Sequence, residues 1–245
     1  MYIGIIPARY ASSRFPGKPL ARILGKTMIQ RVWEQAQLST RLNKVIVATD
    51  DVRIFNEVQA FGGTCLMTGE HHQSGTDRCA EVASTLDLES SAVVINIQGD
   101  EPYIRPEQID VLCDCFSNPQ VQLATLIKSF RNIDEIKSPN AVKAVIDKNG
   151  RALYFSRADI PFFREEQEIH VGAFWQHIGI YGYRADTLKA IASLAPSSLE
   201  TIEKLEQLRW LEEGYSIQTA RAEYESWSID TPDDLEKVIR HFGNQ

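Results

Sequence analysis

The chain has 245 residues, with 26 Lys and Arg against 33 Asp and Glu, a formal net charge of −7 and 43% hydrophobic residues. That length supports one domain with a core of ordinary size and room for a smaller appendage. The acidic balance excludes a general nucleic-acid binder, which needs surplus cations to displace counterions, and no apolar run is long enough to cross a bilayer.

The first residues, Met1-Tyr2-Ile3-Gly4-Ile5-Ile6-Pro7, carry no basic leader and read directly as a strand. A cytoplasmic protein with no membrane partner is expected. The apolar runs Tyr2–Ile6, Val45–Ala48 and Ala92–Ile97 predict strands buried on both faces of a parallel sheet. Between and after them, amphipathic stretches predict helices near Met28–Gln37, Val52–Phe61, Asp77–Leu86 and Pro106–Phe116. Gly62-Gly63 ends the second of these, and Pro106 suits a first helical turn. This alternation predicts an α/β fold with an open, mostly parallel, Rossmann-like sheet, where ligands gather at the carboxyl ends of strands.

After about Ile127 the pattern changes. Ala141–Asp147 and Arg151–Phe155 predict a hairpin turning at Lys148-Asn149-Gly150. Residues 160–176 show no clear periodicity. Ile178–Tyr183 predicts a strand, Ala185–Leu194 and Leu199–Glu213 two helices, and Ile217–Ala220 a short strand. Thr231 is the expected N-cap of a last helix that carries acids in its first turn. The whole chain reads as a single domain, 1–245, with a smaller α/β lobe over roughly 128–220. The aromatics of that lobe, Phe162, Phe163, Phe174 and Trp175, fit either core or interface. Cys65, Cys79, Cys113 and Cys115 form no Cys-x-x-Cys pair and have no spaced His partners, so reduced thiols are expected rather than a zinc site.

Three segments carry chemistry. The first strand runs into Pro7-Ala8-Arg9-Tyr10-Ala11-Ser12-Ser13-Arg14-Phe15-Pro16-Gly17-Lys18-Pro19-Leu20. Cations, hydroxyls and a glycine after a strand suit a triphosphate, although a solvated loop has the same composition. The Walker pattern is excluded because Pro19 follows Lys18, and the dinucleotide fingerprint because Gly17 stands alone. In Gln98-Gly99-Asp100-Glu101-Pro102 a carboxylate leaves a buried strand, where it fits either a Mg²⁺ ligand or a turn. In Ser228-Ile229-Asp230-Thr231-Pro232, Asp230 fits either a second metal ligand or support for the last helix.

The first loop resembles the signature of the 3-deoxy-manno-octulosonate (Kdo) cytidylyltransferases, within the sugar nucleotidyltransferases. So do His72-Gln73-Ser74-Gly75-Thr76-Asp77-Arg78, Gln98–Pro102, Pro139-Asn140-Ala141-Val142-Lys143 and Tyr154-Phe155-Ser156-Arg157-Ala158. His177–Arg184, Glu203–Arg209 and Asp230–Leu235 complete the set, in family order over nearly the whole chain. Asp77 stands where relatives often have Glu, and Tyr224-Glu225-Ser226-Trp227 replaces a smaller, Gly-rich segment.

The resemblance implies a nucleotide-diphospho-sugar transferase fold and transfer of CMP from CTP to Kdo for lipopolysaccharide biosynthesis. It implies catalytic Arg9, Lys18, Asp100 and Asp230, with Asp100 and Asp230 holding Mg²⁺. Nucleotide contacts would come from Ala8, Arg9, Ser13, Arg14, Gly17, Lys18, Ser74, Gly75 and Gln98. Sugar contacts would come from Arg78, Gln98, Arg157, His177, Tyr181, Glu206 and Gln207. A homodimer built through the lobe is the implied assembly. Read without the resemblance, Tyr181 fits core, His177 a strand cap, and Glu206-Gln207 the wet side of a helix. Two other readings stay open: transfer to a related acidic sugar, such as 8-amino-Kdo or a sialic acid, and a silent nucleotide-binding regulator.

Overall fold

The computed structural model describes residues 1–11, 15–165, 170–224 and 227–243. Its first half contains β1 (Tyr2–Ala8), β2 (Arg22–Ile23), β3 (Lys26–Thr27), α1 (Met28–Gln37), β4 (Lys44–Thr49), α2 (Val52–Ala60), β5 (Thr64–Met67), α3 (Gly75–Thr85), β6 (Val93–Asn96) and α4 (Pro106–Asp114). The second half contains β7 (Leu123–Ser129), α5 (Ile133–Lys137), β8 (Lys143–Ile146), β9 (Ala152–Ser156), β10 (Trp175–Arg184) and α6 (Ala185–Ala192). It closes with α7 (Ser198–Glu203), α8 (Gln207–Glu212), β11 (Gln218–Arg221) and α9 (Pro232–Gly243).

One nine-stranded sheet runs in the order β11-β7-β10-β6-β1-β4-β5, with β8 branching from β10 and β9 from β8. The β1–β4, β1–β6, β4–β5 and β7–β11 pairs are parallel, and β10 is antiparallel to both β6 and β7. The sheet is therefore mostly parallel, as the short apolar runs predict. Alternation along β1 sorts its side chains onto two faces. Ile3 and Ile5 join one core cluster with residues of α3, α6 and α8, while Ile6 and Ala8 join another with residues of α1, α2 and α4. Both faces are covered, which is why β1 reads as a near-continuous apolar run. No helix among the described residues is long and apolar enough to cross a membrane.

From β1 the chain moves to β4 on one side, and β6 lies on the other. The loops leaving the carboxyl ends of β1 and β6 diverge there and open a crevice.

The small β2–β3 pair and two strands of the main sheet have no counterpart in the sequence reading. β5 has four residues, and its Thr and Cys blur the apolar signal. β7 is buried from Leu123 to Ile127, and the change of pattern near Ile127 falls inside it. The helix expected over Leu199–Glu213 is two helices. Lys204 takes a left-handed φ of 55°, ends α7 and turns the chain into α8. The hairpin turn forms as expected, but only Gly150 has a positive φ, at 75°. A turn over Asp147–Gly150 with glycine in the bulge position closes the hairpin, and a separate register shift between Val145 and Ile146 sets one extra residue, Leu153, into β9. Thr231 caps α9, since its hydroxyl accepts from the Asp234 amide at 3.2 Å. The 128–220 stretch supplies the β8–β9 branch and also β10 and β11 of the main sheet. Within it, Phe163 and Phe174 pack together at 5.4 Å against Phe130 and Ile136, whereas Phe162 is 86% exposed.

Candidate active site

The loop after β1 is tied at its base. The Gly17 amide donates to the Tyr10 carbonyl at 2.9 Å, and Gly17 takes a φ of 70°. A Cβ on Gly17 would lie 3.0 Å from the Tyr10 ring, so a larger residue would collide as well as strain the backbone. The Arg53 guanidinium, itself paired with Asp51, covers the Tyr10 ring. Beyond Gly17 the chain makes one tight turn over Lys18–Leu20 with Pro19 buried, which fixes where Lys18 starts. Ser13 and Arg14 lie outside the described residues.

Lys18 is the centre of the charge arrangement. Its Nζ donates to Asp100 Oδ2 at 2.7 Å and to the Ile229 carbonyl at 2.9 Å, and lies 3.6 Å from Asp230 Oδ1. Ile229 explains why residues so far apart in sequence meet. Its side chain is fully buried with Ile23, Met28 and Val238, and its amide donates to the Asp100 carbonyl at 3.0 Å. A buried apolar residue thus pins the segment of Asp230 against that of Asp100. Gly99 makes room for this, because a Cβ there would sit 2.8 Å from the Pro7 carbonyl oxygen.

These groups line a cleft of about 240 Å³ with Pro7, Ala8, Arg9, Ser74, Gly75, Arg78 and Gln98. Ser74 caps α3 and forms a capping box with Asp77, so the first turn of α3 is turned toward the cleft. Asp77 closes that box through its bonds to the Ser74 and Gln73 amides, a role the shorter acid fills. Gln98 donates to the Gly179 carbonyl at 2.9 Å and bridges the end of β6 to β10. Arg78 is 3% exposed, and its guanidinium donates to Asp50 at 2.7 Å and to the Thr68 hydroxyl. It lines the cleft with its charge already neutralised from within.

Beside the cleft, beyond Gly75 and Asn96, lies a buried polar cluster. Tyr181, Tyr183 and Trp210 pack edge-to-face, with centroids 5.1 and 5.8 Å from Trp210. Glu206 accepts from the Thr76 hydroxyl at 2.9 Å, and burial raises its carboxyl pKa. The Tyr181 and Tyr183 hydroxyls, Asn96 Oδ1, Gln207 Nε2 and Trp210 Nε1 are buried without a partner in hydrogen-bond geometry among the described residues, although Thr125, Thr76 and Asn96 lie near the two phenols. Five such atoms in one place is a deficit that an ordinary core does not carry. Gln207, at 5% exposure, is thus not on the wet side of its helix.

His177 stands at the edge of this cluster, 5.0 Å from Phe155 and 5.4 Å from Tyr181 between ring centroids. Thr125 has one hydroxyl hydrogen, directed at the Ile178 and Ile180 carbonyls, so His177 Nε2–H donates to Thr125 Oγ at 3.0 Å. Its Nδ1 is left as an acceptor. Arg157 lies farther out. Its guanidinium donates to the carbonyls of Glu203 at 2.8 Å, Pro139 at 2.8 Å and Lys204 at 3.4 Å.

A family model described as Cytidylyltransferase matches residues 3–238. The chain belongs to the cytidylyltransferases. It is 51% identical to the 3-deoxy-manno-octulosonate cytidylyltransferase of Parabacteroides distasonis, over 100% of this chain and 99% of that one. Against the enzyme of the same name from Bacteroides thetaiotaomicron the identity is 50%, with the same coverage. A solved structure of CMP:2-keto-3-deoxy-manno-octonic acid synthetase complexed with CTP matches with a TM-score of 0.92 at 41% identity, covering 99% of this chain and 98% of that chain.

In this cytidylyltransferase the structure brings Lys18, Asp100 and Asp230 together, and groups Tyr181, Glu206, Gln207 and His177 beside them. Sequence reasoning missed Thr76, Asn96, Thr125, Tyr183 and Trp210. Asn96 had a visible signal, since it is an amide inside an otherwise apolar strand. Asp50 and Ile229 had none.

Burial pushes the His177 imidazole down to about 3. The unfolded value is near 6.5, so below that pH the unfolded chain takes up a proton that the folded state resists. Stability from His177 is therefore complete above about 6.5 and falls by at most ~1.4 kcal/mol per pH unit on acidification, until the folded value is reached. The residue is not wholly enclosed, which makes that slope an upper bound. His177→Gln is expected to flatten the loss of stability between roughly pH 6 and 4 in urea titrations. A variant with the wild-type slope contradicts the assignment of a ring that stays neutral in the folded protein.

Proposed function

We propose that this protein transfers CMP from CTP to 3-deoxy-manno-octulosonate and releases pyrophosphate. The observation that carries the reading is a cleft in which Lys18 stands between Asp100 and Asp230, with a buried polar cluster beside it. It occurs in a chain about half identical, end to end, to enzymes of that name.

The anomeric hydroxyl oxygen of the sugar attacks the α-phosphorus of CTP. A phosphorus–oxygen bond forms to the sugar as the bond to pyrophosphate breaks, and the hydroxyl proton is released. Catalysis of such a transfer is mostly positioning and charge neutralisation. Lys18 and Arg9 face the triphosphate. The amides at Ser74 and Gly75, at the start of α3, favour an anion as well. Gln98 stands between nucleotide and sugar. Glu206, the amide of Gln207, the Tyr181 hydroxyl and His177 Nδ1 supply mixed donors and acceptors for a polyhydroxylated acid. Arg157 brings positive charge to the outer end of that pocket, where the acid's carboxylate needs it.

Mg²⁺ fits the donor set. Among the described residues no three His, Cys, Asp or Glu side chains converge. Two carboxylates suit an ion that keeps its waters and takes its other ligands from substrate phosphates. Asp100 and Asp230 would hold it, and it would supply charge neutralisation at the phosphate oxygens.

The reading extends to a cytoplasmic homodimer serving lipopolysaccharide biosynthesis. Reduced thiols at all four cysteines support the compartment, and exposed Phe162 and Leu153 on the lobe support the assembly. Pyrophosphate release from CTP across a panel of Kdo, 8-amino-Kdo and sialic acid tests the acceptor. Release with Kdo well above the others is the expected outcome. Preference for another sugar, or none with any, rejects the reading.

A further inference from the structure

The carboxylate of Glu203, at the end of α7, lines neither the cleft nor the buried cluster beside it. Its Oε1 accepts from the Ser156 hydroxyl at 2.6 Å, and its Oε2 from the Arg157 amide at 3.0 Å. Its backbone carbonyl accepts from Arg157 Nε at 2.8 Å. Three bonds therefore fasten the last residue of α7 to the end of β9. The next residue, Lys204, is held in the left-handed region, which a non-glycine residue keeps only when its surroundings fix it. Two residues further on come Glu206 and Gln207, buried in the polar cluster.

The other side of the attachment is fixed as well. Lys143 has a fully buried side chain whose Nζ donates to the Arg157 carbonyl at 2.6 Å and the Ser138 carbonyl at 3.1 Å, 3.7 Å from Asp159. The strand end that receives Glu203 is thus itself pinned from below by a buried cation.

We propose that Glu203 is a positioning residue for the acceptor. It locks the α7–α8 turn to β9, and thereby sets the place of Glu206 and Gln207 without touching the sugar. The inference rests on the reading of the cluster as the acidic-sugar pocket. Glu203 itself bonds Ser156 and Arg157 and no residue of the nucleotide half. Losing Glu203 is therefore felt by one substrate and not the other.

The test is Glu203→Ala, with Ser156→Ala as a milder variant that removes only the 2.6 Å bond. Expected for Glu203→Ala is a KM for Kdo raised about tenfold, with the KM for CTP within about twofold of wild type. Ser156→Ala is expected to raise the KM for Kdo about threefold and carries the kinetic test if Glu203→Ala does not fold. An unchanged KM for Kdo in the folded variants overturns the proposal. So does an equal rise for both substrates, which marks general loosening. Amide hydrogen exchange of the whole protein separates this from the identity of the acceptor. Faster exchange across residues 204–210, with residues 15–27 unchanged, supports the latch even if wild-type protein ignores Kdo. Wild-type exchange across 204–210 overturns it whatever the acceptor.

Discussion

Replacing Asp100 by Asn is expected to lower kcat at least about a hundredfold, ~3 kcal/mol of transition-state stabilisation, while the protein still folds. The side chain leaves β6 at the crevice and meets Lys18 at 2.7 Å and, through that ammonium, Asp230. Asn keeps the shape and one acceptor oxygen but removes the negative charge. Mg²⁺ would then have one carboxylate in place of two, and the triphosphate would meet an excess of positive charge. The ion pair is only partly buried, so its loss costs about 1 kcal/mol or less of stability. For a chain of this length that corresponds to a fall in Tm of roughly 2–4 °C. Steady-state rates and a thermal melt on the same preparation check both halves. Near-normal turnover contradicts the assignment of Asp100 to the metal and the phosphates. A collapsed melt shows that the carboxylate is chiefly structural.

Lys18→Ala acts on the other member of the pair. A charged hydrogen bond to phosphate is worth about 1.5–3 kcal/mol, so the KM for CTP is expected to rise roughly tenfold to a hundredfold. The KM for the sugar should change far less, because Lys18 faces Asp100, Asp230 and the Ile229 carbonyl, away from Glu206 and Gln207. The variant also leaves two carboxylates about one ammonium without that ammonium, which disfavours an approaching triphosphate until a divalent ion is present. A titration of CTP at saturating sugar reads the effect. Unchanged kinetics across that titration remove Lys18 from the nucleotide site.

Much of this was readable in the chain, and the reasons differ by element. The β1 loop announces itself because phosphate chemistry needs cations, hydroxyls and glycine in a short compass. Lys18 lines the cleft at the end of β1, and Gly17 turns the loop before it. Asp100 and Asp230 are readable as carboxylates next to strand or helix ends, but their convergence is not. It depends on Ile229, an isoleucine like many others, whose buried side chain and two backbone bonds join three segments. Arg78 and Arg157 show the opposite problem. Each is a plausible anion binder by type, yet one is neutralised by Asp50 and the other donates to three carbonyls. Sequence states that an arginine is present and is silent on which donors are already engaged.

The fold divides similarly. β1, β4 and β6 are plain because strands covered on both faces must be apolar throughout. β5 is short and at the edge of the sheet, and β7 spans the point where one periodicity gives way to another. The break between α7 and α8 is invisible to periodicity, since Leu205, Leu208 and Leu211 continue a helical spacing across it. Only the tertiary bonds around Glu203 explain why Lys204 turns. That break carries Glu206 and Gln207 into the buried cluster. A straight helix would have left them where periodicity places them, in solvent.

The central claim is that one crevice joins CTP to Kdo. Phosphorus NMR of a mixture of the protein, CTP, Mg²⁺ and Kdo tests it most directly, because the transferred phosphorus changes from an anhydride to a phosphodiester. A phosphodiester signal growing in equal amount with pyrophosphate, and absent when Kdo is omitted, is the expected result. Free CMP with pyrophosphate, or unchanged CTP, would contradict it.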